Sequence, residues 1–396
     1  MSKEKFETIL DYGSSKLRIG TFEKDYIKNK FFLNEDLKNN LDKQNSSQKI
    51  HGMIKNLEKK LNTHLNEINL MIDTADFFSV DIGTKKIFDN RLVKSKDIKL
   101  LLKSINSLIK NNYPDLKIIH FIITKIVIDK KEHRSFPEDD LNFDELIFEA
   151  KFICLSNIYL DKLHKKFKEQ FLSIKKIYCS SYIKSFFFKE SFENYENKFF
   201  LDIGFEKSCL TIYKKNNFKL IKYLNIGGNH ITKDISNVFK ISIMEAEKIK
   251  KNLNKLEINF SDSEIENNNI KDLNFLNNLN HHNIQFDMLK RVVFARIDEI
   301  IKLIFKDIDY SIFVENRKKS ILVFIGEGSK ILNKNSITLN EKFDYFNEIN
   351  IFDENTTLVC DSGYKFTLMN NPNEINLVPK KSIKYGFFER MFNFFK

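Results

Sequence analysis

The chain has 396 residues, enough for two or more domains of roughly 100–200 residues each, and is 42% hydrophobic, 30% charged and +11 in net charge. Eleven glycines and four prolines exclude collagen-like and Pro-rich linker proteins. Four cysteines with no CxxC pair (Cys154, Cys179, Cys209, Cys360) argue against a disulfide scaffold or a zinc site and suit a reducing cytosol.

The opening MSKEKFETIL has no apolar h-region, so no signal peptide is expected. No run reaches the ~20 apolar residues of a membrane span. The basic residues are scattered in small groups, such as Lys59-Lys60 and Arg317-Lys318-Lys319, without aromatic interleaving, and nucleic acid is not an expected partner. Lys165-Lys166 reads as a solvated helix face and His281-His282 as a solvated loop pair.

Phe6 to Leu10 is a short apolar run. Asp11-Tyr12-Gly13-Ser14-Ser15-Lys16 follows, then alternation from Leu17 to Phe22: strand, tight turn, strand. Ile50 to Leu65 has helical spacing. Residues 66 to 158 hold strand candidates at Ile68 to Ile72, Phe77 to Ile82, Ile118 to Ile128 and Leu146 to Leu155, with a helix from Lys96 to Ile109. Leu160 to Phe171 is an amphipathic helix. The strand-turn-strand signature then recurs around Asp202-Ile203-Gly204, which suggests two related halves. Residues 252 to 285 are Asn-rich and read as a surface insertion. Met288 to Phe305 is a long helix, and Ser320 to Ile325 is a strand leading into Gly326-Glu327-Gly328-Ser329. This alternation is α/β. In the last twelve residues Phe388, Met391, Phe392 and Phe395 fall at helical spacing with Phe387 beside them. Such a helix can lie in a membrane interface or pack on its own domain; Lys380, Lys381 and Lys384 just before it suit an anionic leaflet.

Six of the eleven glycines sit in four loops, each after a strand-like run: Gly13, Gly204, Gly227-Gly228, and Gly326 with Gly328. One such loop is an ordinary turn. Four at corresponding places in a duplicated pattern favour loops whose backbone N–H groups face phosphates. Asp11 and Asp202 each end a strand. They either begin a turn or hold the waters of a Mg²⁺ that bridges phosphates.

Together these segments resemble the actin-like ATPase superfamily and, within it, the FtsA family of bacterial cell-division proteins. ILDYGSSKLRIG (9–20) resembles the first phosphate loop, with Gly13, Ser14, Ser15 and Lys16. FLDIGFEKSCLTIY (200–213) resembles the second, with Gly204 and Ser208, although Phe205, Glu206 and Lys207 replace the usual Gly-Gly-Thr run. NIGGNHITKDI (225–235) resembles the connecting segment. Ala246 to Lys250 resembles the AE-x-x-K helix whose Glu247 and Lys250 line the nucleotide, and Arg296 to Glu299 the R-x-x-E helix. FIGEGSKI (324–331) resembles the adenosine loop, with Gly326, Glu327, Gly328 and Ser329.

The resemblance implies a duplicated actin-like ATPase fold with an extra inserted α+β subdomain and a C-terminal amphipathic helix. Its parts would be subdomain 1A (1–65 and 159–198), the inserted 1C (66–158), 2A (199–240 and 291–378, the last part returning to 1A), 2B (241–290), and a linker with membrane-targeting helix (379–396). It implies ATP and Mg²⁺ as cofactors. It further implies a head-to-tail polymer with itself, the FtsZ C-terminal tail and other divisome proteins as partners, and a place on the cytoplasmic face of the inner membrane at the division site. The membrane contacts would be Phe387, Phe388, Met391, Phe392 and Phe395. Residues 177 to 181 (IYCSS) carry no Gln or Glu to position an attacking water, so weak or absent ATPase activity is expected and no catalytic residue is assigned. A small-metabolite kinase of the same superfamily and an actin-like pilus-assembly scaffold are the alternatives.

Overall fold

A computed structural model describes residues 6–23, 30–37, 43–74, 76–133, 136, 140–253, 284–308, 319–332 and 346–369. The strands, in chain order, are β1 (Phe6–Tyr12), β2 (Lys16–Glu23), β3 (Lys30–Asp36), β4 (Glu67–Ile72), β5 (Phe77–Val93), β6 (Leu116–Ile128), β7 (Lys131–His133), β8 (Leu141–Ser156), β9 (Ser173–Cys179), β10 (Asn197–Ile203), β11 (Ser208–Lys214), β12 (Asn217–Leu224), β13 (Ser320–Ile325) and β14 (Glu348–Ile351). The helices are α1 (Lys43–Leu61), α2 (Ser95–Asn112), α3 (Asn157–Lys168), α4 (Ser180–Phe188), α5 (Gly228–Phe239), α6 (Ile243–Leu253), α7 (Phe286–Ile304) and α8 (Thr356–Leu368).

The chain divides into two compact units. The larger holds residues 1–79, 113–119 and 154–369, and its two five-stranded sheets repeat one plan. The first has the order β3-β2-β1-β4-β9, the second β12-β11-β10-β13-β14. In each, an antiparallel hairpin is followed by parallel pairing to later strands. The registers match as well. Asp11 faces Arg18 and Tyr12 faces Leu17 in the first hairpin; Asp202 faces Cys209 and Ile203 faces Ser208 in the second. The duplication expected from the two Asp-x-Gly turns is therefore a duplication of whole sheets.

Strands β10 and β13 are buried along their whole length, as strands covered on both faces must be. Helices α5, α6 and α7 cover one face of the second sheet, where Ile231, Ile249, Leu289 and Val293 pack on Phe199, Leu201 and Ile212. On the first sheet α1 meets β2 and β3, and α3 meets β9. Helices α4 and α8 pack on each other; α4 touches β9 and β11, and α8 touches β1, β2 and β3. Phe366 of α8 is the hub of that layer, with its ring 5.4 Å from Tyr178, 6.0 Å from Tyr182 and 5.8 Å from Phe186. Asn355 caps α8 by accepting the N–H of Leu358 at 2.8 Å.

The smaller unit comprises, among the described residues, 80–112 and 120–153. Its sheet has the order β5-β8-β6-β7 and carries α2 in sequence between β5 and β6. Along β8, Leu146, Phe148, Ala150 and Phe152 alternate inward, and Phe121 lies 4.3 Å from Phe152, centroid to centroid.

Several boundaries differ from the sequence reading. The turn of the first hairpin is only Gly13 to Ser15, so Asp11 is a strand residue. The insertion does not begin at residue 66, because β4 pairs in parallel with β1. Described parts of 241–290 join the core of the second sheet through Ala246, Ile249, Leu253, Ile284 and Leu289. Lys166 is not simply solvated: its ammonium donates to the Tyr12 hydroxyl and, at 2.7 Å, to Ser46. The terminal segment with Phe387, Phe388, Met391, Phe392 and Phe395, the pair His281-His282, and most of the Asn-rich stretch lie outside the described residues. Among the described residues no helix is long and apolar enough to cross a membrane.

Candidate functional site

The two hairpin turns are built alike. The N–H of Gly13 donates to Lys16 O at 3.1 Å, and the N–H of Gly204 donates to Lys207 O at 2.9 Å. Both turns open onto one cleft of about 730 Å³ within the larger unit, a size proper to small-molecule sites. Gly13, Ser14, Ser15, Lys16, Gly204, Ser208, Gly326 and Glu327 line it, as do Asp11 and Asp202. Sequence reasoning thus places ten of its residues on one cavity.

The others stand behind it. Gly227 lies so close to the second turn that a Cβ there would be 2.6 Å from Gly204 O. The N–H groups of Gly228 and Asn229 at the start of α5 donate to Gly204 O (2.9 Å) and Phe205 O (2.6 Å). Those helix-terminal donors hold the turn rather than a ligand. Lys250 donates to Gly228 O at 2.9 Å and to Thr232 at 2.7 Å, and pairs with Glu247 at 2.6 Å. Burial, only partly offset by Glu247, lowers the Lys250 pKa. Glu247 and Lys250 therefore brace the connecting loop instead of lining the cleft. Gly328 packs on Ile203 O, and Ser329 donates to Gly326 O at 2.7 Å. Gly326 has φ of +90°, and a side chain there would collide with Asp202.

The floor of the cleft is a closed network of buried charges. Asp11 accepts from Arg18 on Oδ2 and from the Ser180 hydroxyl on Oδ1, both at 2.8 Å. Arg18 also reaches Glu327 (2.9 Å) and Glu354 (3.0 Å). Lys184, on α4, pairs with Asp202 at 2.6 Å and with Glu354 at 3.0 Å. The Ser181 hydroxyl, with one proton to give, lies 2.9 Å from Asp202 Oδ2 and 2.8 Å from Asp73 Oδ2, and the Ser181 N–H donates to Asp73 at 3.1 Å. Burial disfavours the charge on Arg18, but Asp11, Glu354 and Glu327 outweigh it and raise its pKa; on Lys184, Asp202 and Glu354 do the same. Burial would lift Glu327, yet Arg18, Lys16 and Lys330 hold it below the usual carboxylate range. Burial raises Asp73. His230 is lowered by burial and by Lys233 and Arg296, and its Nδ1 accepts the Gly227 N–H at 3.2 Å.

The replaced positions of the second turn fill specific places. Phe205 and Glu206 face the cleft, with the Lys250 ammonium 5.5 Å from the Phe205 ring. The Lys207 ammonium is buried 4.0 Å from Asp73, between the rings of Phe77 (5.6 Å) and Tyr223 (5.4 Å), and has no hydrogen-bond partner among the described residues. The four cysteines are buried and form no disulfide, and burial drives the pKa of Cys179 and Cys209 up, so neither is an activated nucleophile.

The magnesium expectation meets a donor problem. A hydrated Mg²⁺ binds carboxylates through its waters and needs free acceptor lone pairs. Asp11 and Asp202 are 4% and 5% exposed, and protein donors already occupy Asp11 on both oxygens and Asp202 on Oδ2. No group of three or more metal-ligating side chains forms among the described residues. These residues offer a hydrated magnesium ion few free acceptors, namely Asp202 Oδ1 and the second lone pairs of the occupied oxygens.

Residues 199–336 match the family of the cell division protein FtsA. The whole chain resembles the structure of the PilM-PilN type IV pilus biogenesis complex, with a TM-score of 0.55 at 12% identity, over 91% of this chain and 96% of that one. The chain has the actin-like ATPase fold, and its segment 199–336 is FtsA-like. Weaker likenesses are MreB5 of Spiroplasma citri bound to ADP (TM-score 0.46, 10% identity, 92% and 96% covered) and the ethanolamine utilization protein EutJ from Carboxydothermus hydrogenoformans (0.44, 9%, 91% and 89%). No curated protein sequence matches the chain. The FtsA-like segment supplies Asp202, the second turn and Glu327, whereas Arg18, Lys184 and Glu354 lie outside it.

Sequence reasoning missed Arg18, Asp73, Lys184, His230 and Glu354. Only Arg18 had a local signal, since a hairpin closing at Gly13 puts residue 18 opposite Asp11.

Proposed function

We propose that this chain binds ATP in the cleft and acts as an FtsA-like polymerising tether, linking FtsZ filaments to the cytoplasmic face of the inner membrane during division. The observation that carries the reading is the FtsA match over 199–336, the stretch that supplies one of the two matched turns and the Gly326–Ser329 loop. The paired turns supply the phosphate-facing backbone, and the terminal segment supplies the membrane contact by its Phe and Met spacing. Ser180 and Ser181 occupy the start of α4 and turn their hydroxyls to Asp11 and Asp202. Among the described residues Asp11, Asp202, Glu327 and Glu354 on the floor are all paired with protein cations, which favours slow turnover, while Glu206 and Asp76 also line the cleft.

The pilus-assembly scaffold is the second reading, supported by fold likeness over nearly the whole chain. Titration with an FtsZ C-terminal peptide and with a PilN N-terminal peptide separates the two. Saturable binding of the first alone is expected; binding of the second alone replaces the tether by the scaffold.

A further inference from the structure

Two buried cations offset part of the acid charge of the cleft from within. Glu354 lies between two cations, with Oε1 3.0 Å from Arg18 and Oε2 3.0 Å from Lys184. The other hand of each cation grips a strand-end acid, Arg18 on Asp11 and Lys184 on Asp202. The side chains of Arg18, Lys184 and Glu354 are 5%, 6% and 1% exposed, so water screens little of this. A divalent ion entering here would meet oxygens that already accept hydrogen bonds, and would be repelled by both cations at short range. Nor can Lys184 swing aside cheaply, since that leaves Asp202 buried without a cation and Glu354 with Arg18 alone.

We propose that Lys184 and Arg18 are built-in counter-cations, so that a nucleoside triphosphate binds this cleft without a divalent metal ion. The inference rests on the nucleotide-binding reading above. Corresponding positions of the two turns carry Lys16 and Lys207, one on each side of the cleft. Lys16 pairs with Glu327 and is 23% exposed, so it can also donate to a phosphate oxygen, whereas the Lys207 ammonium is buried beside Asp73.

The test is calorimetric titration of the full chain with ATP, once with excess Mg²⁺ and once with excess EDTA. The expected dissociation constants agree within about threefold; a weakening of about tenfold or more in EDTA overturns the proposal. Lys184→Gln, checked for folding by circular dichroism, should weaken ATP binding about tenfold in EDTA and regain part of it with Mg²⁺, because Asp202 has then lost its cation and can hold the ion's waters. A folded Lys184→Gln that binds as tightly as the native chain in EDTA removes Lys184 from the role. If that variant does not fold, the native comparison alone decides. Absence of ATP binding in both buffers defeats the nucleotide reading itself, a result distinct from binding that merely requires the metal.

Discussion

Lys184 carries one positive charge between two acids that water barely reaches. Removing one partner of such a pair leaves charge behind in a poorly screened place, at a cost of about 3–5 kcal/mol. Lys184→Met should lower stability to denaturant by that amount. The double variant Lys184→Met/Asp202→Asn should recover part of it, because one abandoned charge goes with the second change. Urea melts of both variants check the sign of the coupling. Gly326 is constrained differently: its φ of +90° and its closeness to Asp202 leave no room for a methyl group. Gly326→Ala should cost about 2–4 kcal/mol and displace the Glu327 carboxylate from Arg18. His230 is held below its ordinary pKa, so its ring should be neutral at pH 7. NMR titration of the ring protons should give a midpoint below 6.5.

At the scale of elements, the sequence was most legible where apolar runs were long and bounded by glycine. β13 and α7 stand within two residues of their expected ends, and the two hairpins were visible from their Asp-x-Gly turns. The misses share a cause. α4 is a nine-residue helix of Ser, Ile, Tyr and Phe buried on nearly all sides, so it shows no polar face from which to read a period. Its lysine therefore looked like any other lysine in a Lys-rich chain. Glu354 lies in an irregular stretch between β14 and α8, where no pattern announces burial; only the tertiary pairing with Arg18 and Lys184 does. Glu247 and Lys250 show the converse. Their motif was plain in sequence, but which loop they brace is a matter of packing.

For the whole molecule, Glu327 joins the loop after β13 to Lys16 and Arg18 of the first hairpin, and thereby ties the two sheets together across the cleft. Its folded pKa is depressed, so the stability it contributes is complete above its ordinary value near 4.5 and is lost as pH falls through the lower folded value. Urea midpoints should decline below pH 4.5, and Glu327→Gln should flatten that decline. Deleting residues 382–396 should abolish co-sedimentation of the full chain with anionic liposomes while leaving its thermal unfolding unchanged. Unaltered pelleting would remove the membrane half of the proposal.

The position of Glu354 near the end of the described chain also constrains how the protein is made. Arg18 and Lys184 leave the ribosome long before the acid that bridges them, and the first sheet waits equally long for α8, which packs on β1 and β2. The first half of the polypeptide is thus unable to reach its final state during translation. A nascent chain stalled before residue 354 should remain protease-sensitive and bound to chaperones, and release should come only once α8 has emerged from the exit tunnel.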